Sequence, residues 1–189
     1  MRLSEEIVGL LRCPACKSEL EIEDVQFRCI NSECRSVFPI VDGIPILIDD
    51  RRSLFCIDDF MQGRDTFFKL SERSRMRKLL RRLLPKISKN IGTRENYREF
   101  VRLLLRQSSL PKVLIVGGSV LGSGIEPLLS ESDVTLVESD VSFGDRTALI
   151  CDAHDIPFAE CSFDGVVAEA ALAGLYRGRR DWAGQRMVS

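Results

Sequence analysis

The feature that most constrains this chain is a double pair of cysteines near its start: Cys13-Pro14-Ala15-Cys16, twelve residues, Cys29, four residues, and Cys34. Two cysteines two residues apart can ligate one metal ion from a single tight turn, because the turn's backbone N–H groups point at the thiolates. A second pair about a dozen residues on closes a tetrahedral site across a hairpin. The spacing predicts a structural zinc ribbon with Cys13, Cys16, Cys29 and Cys34 as ligands and no open coordination position for catalysis. Short strands are expected around Leu20–Ile22, Gln26–Arg28 and Ile44–Ile48, with Asp42-Gly43 as a turn between apolar runs. A ribbon this small cannot bury enough apolar area to be stable alone, so the metal would supply much of its folding energy.

The rest of the composition narrows the class. With 44% hydrophobic and 29% charged residues over 189 positions, the chain reads as globular rather than disordered. No apolar run approaches the roughly 18 residues of a membrane helix, and Glu5 and Glu6 break any signal-peptide pattern, so a cytoplasmic location is expected. Seven cysteines in such a chain indicate thiols and a metal rather than disulfides, with Cys56, Cys151 and Cys161 left as small hydrophobes. The net charge of −1 hides a partition. Residues 1–50 hold 10 acidic and 5 basic side chains, residues 51–112 hold 6 and 17, and residues 113–189 hold 12 and 5. Segments so different in charge are expected to do different jobs.

Residues 1–50 form the ribbon segment, opened by a short helix after Ser4. Residues 51–111 read as a basic helical linker: Met76, Leu79, Leu80, Leu83, Leu84 and Ile87 recur at helical spacing among arginines, and a second helix runs from about Arg94 to Gln107 with Thr93 as its N-cap. Its basic stretch, 73–106, is either a solvated face or a contact for RNA or a partner protein. From residue 112 the pattern becomes β/α: strands at Lys112–Val116, Asp133–Glu138, Thr147–Cys151 and Phe163–Ala168, with a short helix at Ile125–Ser130. The fold class is therefore α/β: a zinc ribbon, a helical linker, then about four parallel strands of a partial Rossmann-like unit over 112–175.

Between the first of these strands and its helix lies Gly117-Gly118-Ser119-Val120-Leu121-Gly122-Ser123-Gly124. Such a loop lets backbone approach a ligand closely. Glu138, about twenty residues on, stands where a carboxylate can accept hydrogen bonds from ribose hydroxyls. Asp140 is a second candidate, and Asp152 closes the third strand. His154 is the only histidine; with four cysteines completing the metal site, it is either a cofactor contact or an ordinary loop residue.

The succession of glycine loop, Glu138, Cys151-Asp152-Ala153 and Asp155-Ile156-Pro157-Phe158…Ser162-Phe163-Asp164 resembles the class I S-adenosylmethionine-dependent methyltransferases. The resemblance implies that Gly117, Gly118, Gly122 and Gly124 pack beside the cofactor's methionine part, that Glu138 holds the ribose, and that Asp152 and Ala153 border the adenine. The acidic residue usual before the first glycine is replaced by Ile115-Val116. Residues 13–48, with the Cys-Pro-x-Cys start and Phe38-Pro39-Ile40-Val41-Asp42-Gly43-Ile44-Pro45, resemble the small zinc-ribbon subunit that activates tRNA and protein methyltransferases.

After the fourth strand, Ala173-Gly174 replaces the family's Glu-His pair, and residues 176–189 show neither helical nor strand periodicity. This tail is read as non-native to the fold, as after a frameshift or premature stop, or alternatively as a basic disordered tail that serves binding. The function expected is that of a methyltransferase-family protein, truncated and inactive as this chain, using S-adenosylmethionine and structural zinc on an unidentified methyl acceptor. No catalytic base can be assigned. The alternative is a non-catalytic zinc-ribbon binding module that docks on a partner methyltransferase or on RNA.

Overall fold

The computed structural model describes residues 1–62, 92–118 and 122–168. The basic stretch around residues 76–87 and the tail at 176–189 lie outside the described residues. Helix α1 (Glu5–Leu10) starts where the Ser4 hydroxyl accepts from the Ile7 amide at 3.4 Å, with Glu5 and Glu6 in the first turn complementing the helix dipole. Strands β1 (Leu20–Glu23), β2 (Gln26–Cys29), β3 (Val37–Val41) and β4 (Ile44–Leu47) then form an antiparallel meander. Asp42 and Gly43 both have positive φ, 50° and 75°, the geometry that matches a two-residue turn to strand twist. The turn pairs Val41 with Ile44.

After the short helix α2 (Ile57–Met61), helix α3 (Thr93–Gln107) leads into β5 (Lys112–Val116), α4 (Glu126–Leu129), β6 (Thr135–Asp140), β7 (Leu149–Cys151) and β8 (Gly165–Ala168). Thr93 is the first helical residue rather than the cap; Gly92 takes the cap position without a side-chain bond. The third strand of this half starts at Leu149, not Thr147, because the Thr147 amide and hydroxyl close a turn onto Gly144 O and Ser142 O, each at 3.2 Å. The fourth starts at Gly165 because Asp164 is committed to a clasp: its carboxylate accepts from the Lys112 amide at 2.7 Å and its own amide donates to Lys112 O at 2.8 Å.

All eight strands join one mixed sheet in the order β1-β2-β3-β4-β7-β6-β5-β8. The ribbon is therefore not tethered beside the α/β strands but hydrogen-bonded to them. Its last strand, β4, pairs in parallel with β7, setting Ile46 opposite Ile150 and Leu47 opposite Cys151. Every residue of β4 is buried, as expected of a strand covered on both faces. On one face Ile7, Leu11, Phe27 and Phe38 of the ribbon pack in one cluster with Leu114, Val116, Leu149 and Cys151. On the other, Phe60 of α2 covers Ile44, Ile46 and Ile150. Helices α3 and α4 cover β5 through Val101, Leu104 and Leu128 against Val113 and Ile115. The link between β6 and β7 needs no crossover helix, because β7 pairs only with the last two residues of β6, Ser139 and Asp140, and the chain has little distance to return. Among the described residues no helix is long and apolar enough to cross a membrane.

Candidate metal centre and strand-end site

The first turn brings Cys13 and Cys16 together by a bond from the Lys17 amide to Cys13 O at 2.8 Å, with Lys17 in the left-handed region at φ 64°. The second repeats the device: the Cys34 and Arg35 amides donate to Asn31 O at 3.0 and 3.1 Å, and Arg35 has φ 52°. The four sulfurs lie within 4.8 Å of one another, with Cys13–Cys34 at 3.7 Å and Cys16–Cys29 at 3.4 Å. Tetrahedral zinc with bonds of about 2.3 Å spaces its sulfurs by about 3.8 Å, so the donor set fits.

The protonation of the thiols carries the same message. Burial pushes the Cys13 thiol up, against the Ala15 and Cys16 amides that favour its thiolate. Burial also raises Cys29. Burial opposes ionisation of Cys16 as well, but hydrogen bonds from the Ser18 hydroxyl and amide lead in bringing it down to about 6. A divalent cation removes this conflict, since it takes all four sulfurs as thiolates. Four cysteine donors would leave a bound metal no open position, so the arrangement suits a structural zinc.

The predicted ligand residues of the α/β half converge only in part. Strands β7, β6 and β5 are neighbours in that order and parallel, so the residues following them share one edge of the sheet. Gly117 and Gly118 donate their amides to Ser139 O at 2.8 and 3.2 Å, and a Cβ on Gly118 would stand 3.1 Å from Glu138 Oε2. Glycine is required there for the carboxylate to sit against the loop. Glu138 is 4% exposed; its Oε1 accepts from Arg146 Nε at 2.6 Å and from Arg146 Nη2, while Oε2 has no hydrogen bond among the described residues. Asp152 is fully engaged: Oδ2 accepts from Ser53 Oγ at 2.6 Å, and Oδ1 accepts from the His154 amide at 2.9 Å and lies 2.9 Å from its ring Nδ1. Ala153 sits between them. Gly122 lies in the loop before α4. Gly124 serves packing: at φ 100°, a Cβ there would lie 3.0 Å from the Arg94 amide at the start of α3. Asp140 is turned inward, accepting from the Val141 amide at 2.7 Å and the Ser142 hydroxyl at 3.0 Å.

Arg146, Ser53 and Lys17 are the site's neighbours that sequence reasoning did not single out. They come from segments without periodicity, and only the fold shows what they touch. On α3, two arginines of the basic stretch are paired along the helix, Arg98 with Glu95 at 2.7 Å and Arg102 with Glu99 at 2.6 Å.

Comparison with known proteins bears on the ribbon. The family described as "Trm112p-like protein" matches residues 8–43. A UPF0434 protein of Shewanella oneidensis is 33% identical over 51 residues, which is 27% of this chain and 86% of that protein. A UPF0434 protein of Bordetella pertussis is 34% identical over 53 residues, 28% of this chain and 86% of its own length. The residues matched by the family, 8–43, hold the four cysteines and the Phe38–Gly43 run, and each of the two relatives matches little more than a quarter of the chain. By its N-terminal part, a Trm112p-like zinc ribbon, the chain belongs to the UPF0434 family.

Proposed function

We propose that this chain is a zinc-ribbon binding module of the methyltransferase-activating kind, carried in cis on the α/β half it serves. The observation that carries the reading is the parallel pairing of β4 with β7. Strand addition satisfies backbone groups along an edge that would otherwise bind another chain, and here that edge is filled from within the same chain. The ribbon's part is non-catalytic: it completes the sheet and covers one of its edges.

The test is cooperative unfolding of the zinc-loaded full chain. A single transition is expected, lowered as a whole by chelation. Ile150→Asp, which places a charge opposite Ile46, is expected to split it into two while zinc is retained. A wild-type ribbon that melts independently of the α/β half overturns the reading.

A second reading has its own observation. Glu138 Oε2 is buried, has no hydrogen bond among the described residues and lies against Gly118, which supports a ribose-bearing ligand such as S-adenosylmethionine at the strand ends. Glu138 with Gly117 and Gly118 would hold the ribose side, and Asp152 with Ala153 the base. When bound, that cofactor supplies an electrophilic methyl group; these residues would only bind and orient it. Calorimetry with S-adenosylmethionine decides: binding abolished by Glu138→Ala in a folded protein supports this reading, and no heat with wild type removes it.

A further inference from the structure

The ribbon touches the α/β half at a second place besides the β4–β7 seam, and the contact is made by the metal-binding turn itself. The segment leading into it runs beside residues 157–159: the Arg12 amide donates to Pro157 O at 2.8 Å, the Ala159 amide donates to Leu10 O at 2.9 Å, and Leu11 bridges Phe158. Immediately after Cys16, the Lys17 ammonium pairs with Asp155 Oδ1. Arg52 stands 3.6 Å from the other oxygen of Asp155, and neighbouring Ser53 holds Asp152. Pro14, inside the Cys13–Cys16 turn, walls a cavity of about 60 Å³ together with Asp49, Ser53, Asp152, His154 and Asp155. The loop 152–159 is thus held at Asp155 and at 157–159 by residues that flank the Cys13–Cys16 turn, Lys17 and Leu10–Arg12, and at Asp152 by Ser53 from the segment after β4. Its internal hold is slight: among the described residues, the backbone bond within it is the Asp155 amide on Asp152 O at 3.0 Å.

The geometry points to a metal-dependent clamp: loading of the four cysteines sets the 152–159 loop, and with it Asp152, at the carboxyl end of β7. The clamp rests on the zinc reading but not on any ligand at the strand ends. Lys17 and Asp155 are its positioning residues. Lys17 holds a left-handed φ of 64° with its amide on Cys13 O, and from that position its side chain reaches Asp155. Coupling of this kind is reciprocal, so a change at the loop must be felt at the metal.

The full chain is examined by hydrogen exchange with zinc and after chelation, with zinc content measured in parallel. Without zinc the Asp155 and Ala159 amides are expected to accelerate by a factor at least ~10-fold greater than the amides of Val113–Val116, whose change reports the loss of global stability. In a chelator competition, Asp155→Ala, which leaves every sulfur in place, is expected to weaken zinc by ~5-fold or more, the lower end of ordinary coupling energies. Lys17→Ala should do the same and Lys17→Arg should restore most of it. Equal acceleration at Val113–Val116, or unchanged zinc affinity in Asp155→Ala, overturns the clamp and leaves the zinc reading standing. A chain that takes up no zinc removes both.

Discussion

In the metal centre every ligand comes from residues 13–34, each turn closed by its own backbone, whereas the strand-end carboxylates are held from a distance. Glu138 depends on Arg146 in the β6–β7 link, and Asp152 depends on Ser53 from the segment after β4. A locally assembled site fails at once when one of its members is lost, while a change elsewhere, as at the 152–159 loop, reaches it only as a weakened affinity. A site assembled by the fold loses strength by degrees, one partner at a time. The two regions also differ in charge logic: the sulfurs need an added cation to ionise together, and the carboxylates find their donors within the protein.

Mutations ranked by effect test this contrast. Cys13→Ser should abolish stoichiometric zinc and unfold the ribbon, since structural zinc sites of this kind are worth about 10 kcal/mol or more at neutral pH; metal analysis and circular dichroism read it. If zinc survives, the centre is not the all-or-none device described. Ile46→Ala, at the wholly buried seam, should cost about 2–5 kcal/mol in denaturant unfolding, and Val25→Ala, 73% exposed at the far hairpin, no more than about 0.5 kcal/mol. Arg146→Ala leaves Glu138 buried without its donor and should cost about 1–3 kcal/mol, with Glu138→Gln milder because the amide oxygen still accepts.

The loss of one hydroxyl at the strand-end site carries a pH signature. Burial opposes ionisation of Asp152, but the Ser53 hydroxyl and the His154 amide and ring outweigh it and hold the carboxyl below its ordinary value of 3.8. A lowered folded value stabilises above 3.8, and that contribution is lost as pH falls through the folded value. Ser53→Ala should therefore cost about 1 kcal/mol near neutrality and converge on wild type in acid. A Ser53→Ala deficit that persists unchanged into acid would assign Ser53 a packing role instead.

How much of this was legible in the sequence follows the same division. The grouping of Cys13, Cys16, Cys29 and Cys34, the Asp42-Gly43 turn and the apolar run of β5 are local patterns: the four sulfurs cluster, the turn forms, and β5 spans Lys112–Val116. The α/β pattern of the second half was equally readable, because a parallel strand covered on both faces writes itself as an unbroken apolar run. The union of the two halves was not. Ile46 and Ile150 look like any buried pair of β-branched residues, and nothing near either names the other. Nor could spacing show that Gly124 faces the start of α3, or that Asp152 would meet a serine on the ribbon's side.

The parallel seam also sets an order of events at the ribosome. Strand β4 is synthesised about a hundred residues before β7, and at roughly 5–20 residues per second it waits about 5–20 s for its partner. During that interval Ile44, Ile46 and Leu47, buried in the finished sheet, belong to an unpaired apolar edge. The nascent ribbon can bind its metal early, because all four ligands have already emerged. Its hazard during synthesis is therefore capture of that edge by another chain, and the time before β7 emerges is when a chaperone would matter most to this protein.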